Sequence, residues 1–189
     1  MKRRLWFLVT LVGLSPSSRL TSQSIPNATS TATVAADPRD VASADAIITA
    51  LYDANTILVD RKRDADRFRS LFVPGARLMP TFQPPNGRAV IGIQTVDDYV
   101  RINGSGQPRH GFREREISRT THAFGNIMQV FSTYEGRRDS TDTRPARGIN
   151  SIQLFNDGTR WWVVGVLWDH ERPDKPIPAT FLKPSKTSP

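Results

Sequence analysis

Residues 147–172, RGINSIQLFNDGTRWWVVGVLWDHER, constrain this chain more than any other stretch. Apolar-rich runs flank Asn156-Asp157-Gly158-Thr159, and an Asp-Gly pair between such runs is a strong hairpin signal. A two-residue turn at Asp157-Gly158 sets Leu154 opposite Trp161, Ile152 opposite Val163, Asn150 opposite Gly165 and Gly148 opposite Leu167. The other face then pairs Gln153 with Trp162, Ser151 with Val164, Ile149 with Val166 and Arg147 with Trp168. Tryptophans 161, 162 and 168 all fall here, so the ribbon is expected to anchor the main sheet.

A second hairpin is expected from Gly111–Ala123 and Ile127–Arg138 about Gly125-Asn126, a pair suited to a primed turn. That register opposes Ile117 to Tyr134, Arg119 to Ser132, Thr121 to Val130 and Ala123 to Met128. It also sets Glu116 against Glu135, which is unfavourable and predicts a bulge nearby.

Ahead of the hairpins the pattern is helical. Ile47, Leu51, Ala54 and Leu58 recur on one face from Ser43, a suitable N-cap. A second helix is expected over 64–72 with Phe68, Leu71 and Phe72 inward. Short strands at Ala76–Phe82 and Arg88–Ile93 follow. Thr95 and Asp98 resemble a capping box opening a third helix, with Val96, Tyr99 and Ile102 inward. Helices gathered before a run of strands argue an α+β fold, a curved antiparallel sheet packed on three N-terminal helices.

The chain starts with Met1-Lys-Arg-Arg and LWFLVTLVGL, the n-region and h-region of a secretory signal. The apolar run is about ten residues, against the roughly 20 needed to span a bilayer, so no stable membrane insertion is expected. The expected organisation is a signal over 1–24, a disordered leader over 25–42, one domain over 43–182 and a disordered tail over 183–189. Losing residues 1–24 removes Lys2, Arg3, Arg4 and Arg19 and no acid. The 26 basic residues become 22 against 18 acids, so +8 falls to +4. That modest charge, with short basic runs lacking interleaved aromatics, argues against nucleic acid. There is no cysteine, and no His-x-His or His-Glu-x-x-His, so neither a thiolate nor a zinc site is expected, nor any cofactor.

RFRSLFVPGARL after the first helix, HAFGNIMQVFSTYEGR in the middle and DGTRWWVVGVLWDHER at the close together resemble the nuclear transport factor 2-like superfamily, over residues 43–172. That superfamily includes ketosteroid isomerases and polyketide cyclases, and the likeness is greatest to secreted bacterial members without an assigned reaction. The resemblance implies a cone-shaped sheet wrapped over a long helix, a pocket at the open end and frequent dimerisation. The Asp–His pair of the cyclases has no recognisable match, and neither does the isomerases' base with its paired oxyanion donors.

Candidate site residues follow from the registers. Asn150 is an amide on an apolar face, either an orienting group in a pocket or a partner in a cross-strand bond. Tyr134, Ser132 and Arg119 share a hairpin face and offer hydroxyl and guanidinium donors. Tyr52 can reach the same space from the first helix, and Trp168 and Phe72 can wall it, although each suits the core equally well. The acid–base candidates are Glu116, His122, Asp169 and His170, none assigned a catalytic role. His122 suits an exposed hairpin tip, Glu116 has arginines beside it, and Asp169 alternates with charges at a strand end.

The expected activity is binding of a small, partly apolar ligand without catalysis, in the periplasm or outside the cell. The alternative is an isomerase, dehydratase or hydrolase of a small carbonyl or cyclic substrate in the same pocket. A sheet face bearing Trp162, Val164, Val166 and Ile149 suits isologous pairing, so a homodimer is expected. The first prediction concerns export: intact-mass measurement on protein from an extracytoplasmic fraction should give a chain starting near residue 25. A full-length cytoplasmic product would contradict it.

Overall fold

The computed structural model describes residues 34–58, 63–85, 87–104, 111–138 and 145–183. Helices α1 (Pro38–Val41), α2 (Ala44–Asn55) and α3 (Ala65–Ser70) lead into strands β1 (Phe72–Phe82), β2 (Val90–Ile91) and β3 (Gln94–Thr95). Helix α4 (Val96–Gly104) is followed by β4 (Arg113–Phe124), β5 (Ile127–Arg137), β6 (Ala146–Asn156) and β7 (Trp161–His170). A short 3-10 turn, Ala179–Phe181, follows. The sheet runs β2-β1-β7-β6-β5-β4, with β3 also on β1. The fold is therefore α+β with a curved, unclosed sheet, as expected. It is not purely antiparallel, because β1 runs parallel to β7. No tight turn joins these two strands, so nothing imposes the antiparallel sense.

Helix α2 is capped by Ser43, whose Oγ accepts from the Ala46 amide at 3.0 Å. Its apolar stripe buries Ile47, Ile48, Leu51 and Tyr52 against Val130, Ile152, Leu154 and Val163 on the inner face of the sheet. Burying each such side chain contributes about 1.5–3 kcal/mol. The capping box at α4 forms as expected: the Asp98 amide donates to Thr95 Oγ1 at 3.0 Å and the Thr95 amide to Asp98 Oδ2 at 3.3 Å. Val100 is the residue α4 buries, whereas Ile102 is exposed. Helix α3 ends at Ser70, so Phe72 opens β1 and does not continue the helix. The strand expected at Arg88–Ile93 contracts to Val90–Ile91.

The β6–β7 register differs from expectation. The loop runs from Asp157 to Arg160, because one Asp157 carboxylate oxygen accepts from the Thr159 and Arg160 amides at 2.7 and 2.8 Å. Its other oxygen takes the Trp162 indole N–H at 2.7 Å, and Gly158 sits at φ 93°. These bonds favour the longer loop over a two-residue turn, and Asn156 pairs with Trp161. A further irregularity between Gln153 and Leu154 skips Val164. Asn150 therefore opposes Trp168, not Gly165, and Trp168 joins the inner face. Gly165 opposes Gln153, and a Cβ there would sit 3.3 Å from the Arg77 carbonyl, so it leaves no room for a ligand. Val166 also turns inward and is buried.

The second hairpin keeps its expected register as far as Ser118 opposite Thr133. A bulge at Ile117 then brings Glu116 opposite Tyr134 and Arg115 opposite Glu135. Arg115 and Glu135 pair at 3.3 Å, replacing the expected carboxylate clash. Ile117 consequently has no partner in Tyr134.

The expected leader over 25–42 is in part built: Asp37 caps α1, Val41 is buried, and Asp40 pairs with Arg67 at 2.7 Å. At the other end, the Phe181 carbonyl accepts from Thr133 Oγ1 at 2.7 Å and the Lys183 carbonyl from Ser118 Oγ, which lays 177–183 across the outer face of β4 and β5. The segments expected as signal and as most of the tail lie outside the described residues. Among those residues no helix is long and apolar enough to cross a membrane.

Candidate functional site

A cleft of about 1220 Å³ opens between α2, α4 and the inner face of the sheet. Leu51, Phe68, Leu78, Phe112, Val166 and Trp168 give it apolar walls. Among the polar groups on its walls are Tyr52 and Asn55 from α2, Tyr99 from α4, Glu114 from β4, Asn150 from β6, and Arg63 just before α3.

Glu114 is the centre of this group. Asn55 Nδ2 donates to Glu114 Oε2 at 2.9 Å, and Asn150 Nδ2 donates to Oε1 at 3.3 Å. The Tyr99 hydroxyl in turn donates to Asn55 Oδ1 at 2.8 Å, fixing the orientation of that amide. Both carboxylate oxygens are thus held from opposite sides, by the helix and by the sheet. Burial pushes the Glu114 carboxyl up to about 7, against the opposing pull of the two amides and of the Arg63 charge. A carboxyl that titrates near neutrality inside a cleft can either accept or donate a proton.

A second line of hydrogen bonds runs from Asn150 to the surface. Asn150 Nδ2 lies 3.1 Å from the Tyr52 hydroxyl, which lies 2.6 Å from Ser132 Oγ. Ser132 donates to Glu116 Oε1 at 2.5 Å, and Arg119 Nε donates to Glu116 Oε2 at 2.8 Å. Arg119 also pairs with Asp45. Because the Ser132 proton goes to a carboxylate, Tyr52 donates to Ser132 and accepts from Asn150. Its proton is committed to the fold, and burial raises its hydroxyl well above the usual tyrosine range. Nearby, Tyr134 lies 2.7 Å from His170 Nδ1. Tyr134 fits there because Gly148 has no Cβ to meet its hydroxyl.

Of the ligand-binding candidates, Tyr52, Tyr134, Asn150 and Trp168 line the cleft. Phe72 is core, packed 5.0 Å from Phe68 between ring centroids. Arg119 lies outside the cleft wall in its pairs with Glu116 and Asp45. Among the acid–base candidates, Glu116 is occupied by Arg119 and Ser132. His122 is exposed opposite Gln129, and Asp169 is exposed in a pair with Arg172 at 2.7 Å. Asn150 is bonded by protein groups on both sides, the cross-strand alternative in a longer form that reaches the helix.

Glu114, Asn55 and Arg63 were not among the expected site residues. Glu114 shares the face of Glu116 by strand alternation, and Asn55 follows Tyr52 by one helical step, so both were within reach of the pattern. Arg63 carried no such signal, lying in a basic run between helices. Among the described residues no cluster of His, Asp or Glu is arranged to hold a metal.

No family model and no curated protein matches the chain. Solved structures do. A nuclear transport factor 2-like protein of unknown function from Shewanella baltica shares 10% identity, covering 67% of this chain and 89% of its own, at a TM-score of 0.44. A protein of unknown function with a cystatin-like fold from Nostoc punctiforme shares 11% identity over 62% and 83%, at 0.43. A nuclear transport factor 2-like superfamily protein from Salmonella enterica shares 16% over 75% and 86%, at 0.42. The α+β fold itself rests on the strand order and the seat of α2.

The titration of Glu114 has a definite sign. Its folded value lies above the ordinary 4.5, so the folded state holds the proton through the range in which the unfolded chain releases it. Stability from this group is full below about 4.5 and is lost as pH rises through about 7. Between pH 5 and 8 the protein should lose on the order of 2 kcal/mol relative to Glu114→Gln. Urea unfolding of both proteins at the two pH values measures this, and parallel pH profiles would contradict it.

Proposed function

We propose that this chain is a small-molecule-binding domain, acting after export, that takes a partly apolar ligand in the cleft. The observation that carries the reading is the composition of the cleft: aromatic and aliphatic walls around a few polar groups fixed by hydrogen bonds. Ligand sites commonly have this make-up, because the walls supply burial while the fixed polar groups select orientation. The neutral probe 1-naphthol should bind measurably by calorimetry, and Trp168→Leu should weaken it at least tenfold. Trp168 is only half-buried, so the variant keeps its core. Equal affinity in both proteins would count against the cleft.

Glu114 favours a second reading, an isomerase, dehydratase or hydrolase of a small carbonyl or cyclic substrate. In it Glu114 moves a proton to or from the bound molecule, and the two asparagines hold the carboxyl in place. Glu114→Gln would then abolish turnover and leave 1-naphthol binding intact.

A homodimer belongs to the same proposal, with one change of surface. Val166 faces the core, so the pairing face is the outer one, where Val164 and Leu167 are exposed beside Trp162 and Ile149. Sedimentation at micromolar concentration should give twice the chain mass, and a monomer at that concentration would exclude this pairing.

A further inference from the structure

Arg63 stands apart from the other cations of the cleft region. Its guanidinium lies 5.5 Å from the Tyr99 ring centroid and 5.9 Å from that of Phe68, clamped against aromatic faces. Nη2 makes a long hydrogen bond to the Asn55 carbonyl at 3.4 Å and also faces the Tyr99 hydroxyl. Nε and Nη1 are buried without a hydrogen-bond partner. No carboxylate within ion-pair distance serves it among the described residues, whereas Arg67, Arg69, Arg119, Arg147 and Arg172 all have one. Glu114, the carboxyl of the same cleft, is already engaged by two amides. A second polar group on the wall is also unsatisfied: Gln94 Oε1, from β3, is buried and has no partner. A sheltered guanidinium with free N–H groups is unfavourable unless an anion completes it.

We propose that the ligand of this cleft is a small organic carboxylate, its carboxylate paired with Arg63 at the Asn55–Tyr99 end. This rests on the binding reading above and names the ligand's charge. The planar guanidinium fork matches a carboxylate in shape and charge. One negative charge suits the site, since Glu114 faces the same space. The apolar body of the ligand then lies along Phe68, Leu78 and Trp168.

The test compares benzoate, benzamide and 1-naphthol by calorimetry at pH 6 on the full chain and on Arg63→Met and Arg63→Lys, each checked for an unchanged unfolding transition. Benzoate should bind at least tenfold tighter than its neutral isostere benzamide. Arg63→Met should abolish that preference while leaving 1-naphthol binding in place. Arg63→Lys, which keeps the charge but loses the fork, should fall between. Benzamide binding as tightly as benzoate would overturn the proposal, as would a benzoate preference that survives in Arg63→Met. In either case 1-naphthol binding would leave the broader binding reading standing. Failure of all three probes would overturn both.

Discussion

The grip of Asp157 on its loop sets the geometry on which the inner face of the sheet depends. By holding the amides of Thr159 and Arg160 and the indole of Trp162, one exposed carboxylate favours a loop longer than the minimal hairpin turn. The register that follows, together with the skipped Val164, turns Val166 and Trp168 inward beside Asn150. A one-residue shift in a strand exchanges its faces, so a small change in this loop would move the tryptophan from the cleft to solvent. The outer face would gain an aromatic and the cleft would lose a wall.

On that inner face, helix α2 does two jobs with one surface. Its apolar stripe supplies core, while Tyr52 and Asn55, one helical step apart, reach toward the sheet. Tyr52 ends in a chain of hydrogen bonds that continues through Ser132 and Glu116 to Arg119. Every member has a partner, so the buried polar line adds little net cost and fixes the helix against the strands. The bulge at Ile117 is part of this arrangement. It brings Arg119 onto the face of Glu116, where strict alternation would have placed it on the opposite side.

The cleft itself is less well compensated. Glu114 is buried enough to hold its proton near neutrality, and Arg63 has two buried nitrogens without a hydrogen-bond partner. Replacing such groups by apolar ones of similar size is commonly neutral or stabilising in a fold. Their presence together in one open cavity is the physical ground for proposing function there. Under the binding proposal, a ligand would restore the stability that these groups give up.

The sequence by itself determined the elements. Ser43 and the Thr95–Asp98 pair start helices where capping chemistry requires them, and Gly125-Asn126 and Asp157-Gly158 mark the hairpins. The alternation in HAFGNIMQVFSTYEGR sets one strand face apart from the other. Even the bulge on β4 was legible, because two glutamates cannot sit opposed. These signals are local, carried by neighbours within a few residues. Only the tertiary structure decided the rest. The loop around Asp157 depends on a side chain folding back on its own backbone, and a two-residue turn would satisfy the same letters. The parallel β1–β7 pair joins segments far apart in the chain. The cleft gathers Asn55, Arg63, Tyr99, Glu114 and Asn150 from a helix end, an inter-helix segment, a second helix and two strands. No spacing along the chain records that convergence, because burial and free hydrogen-bonding groups are properties of packing.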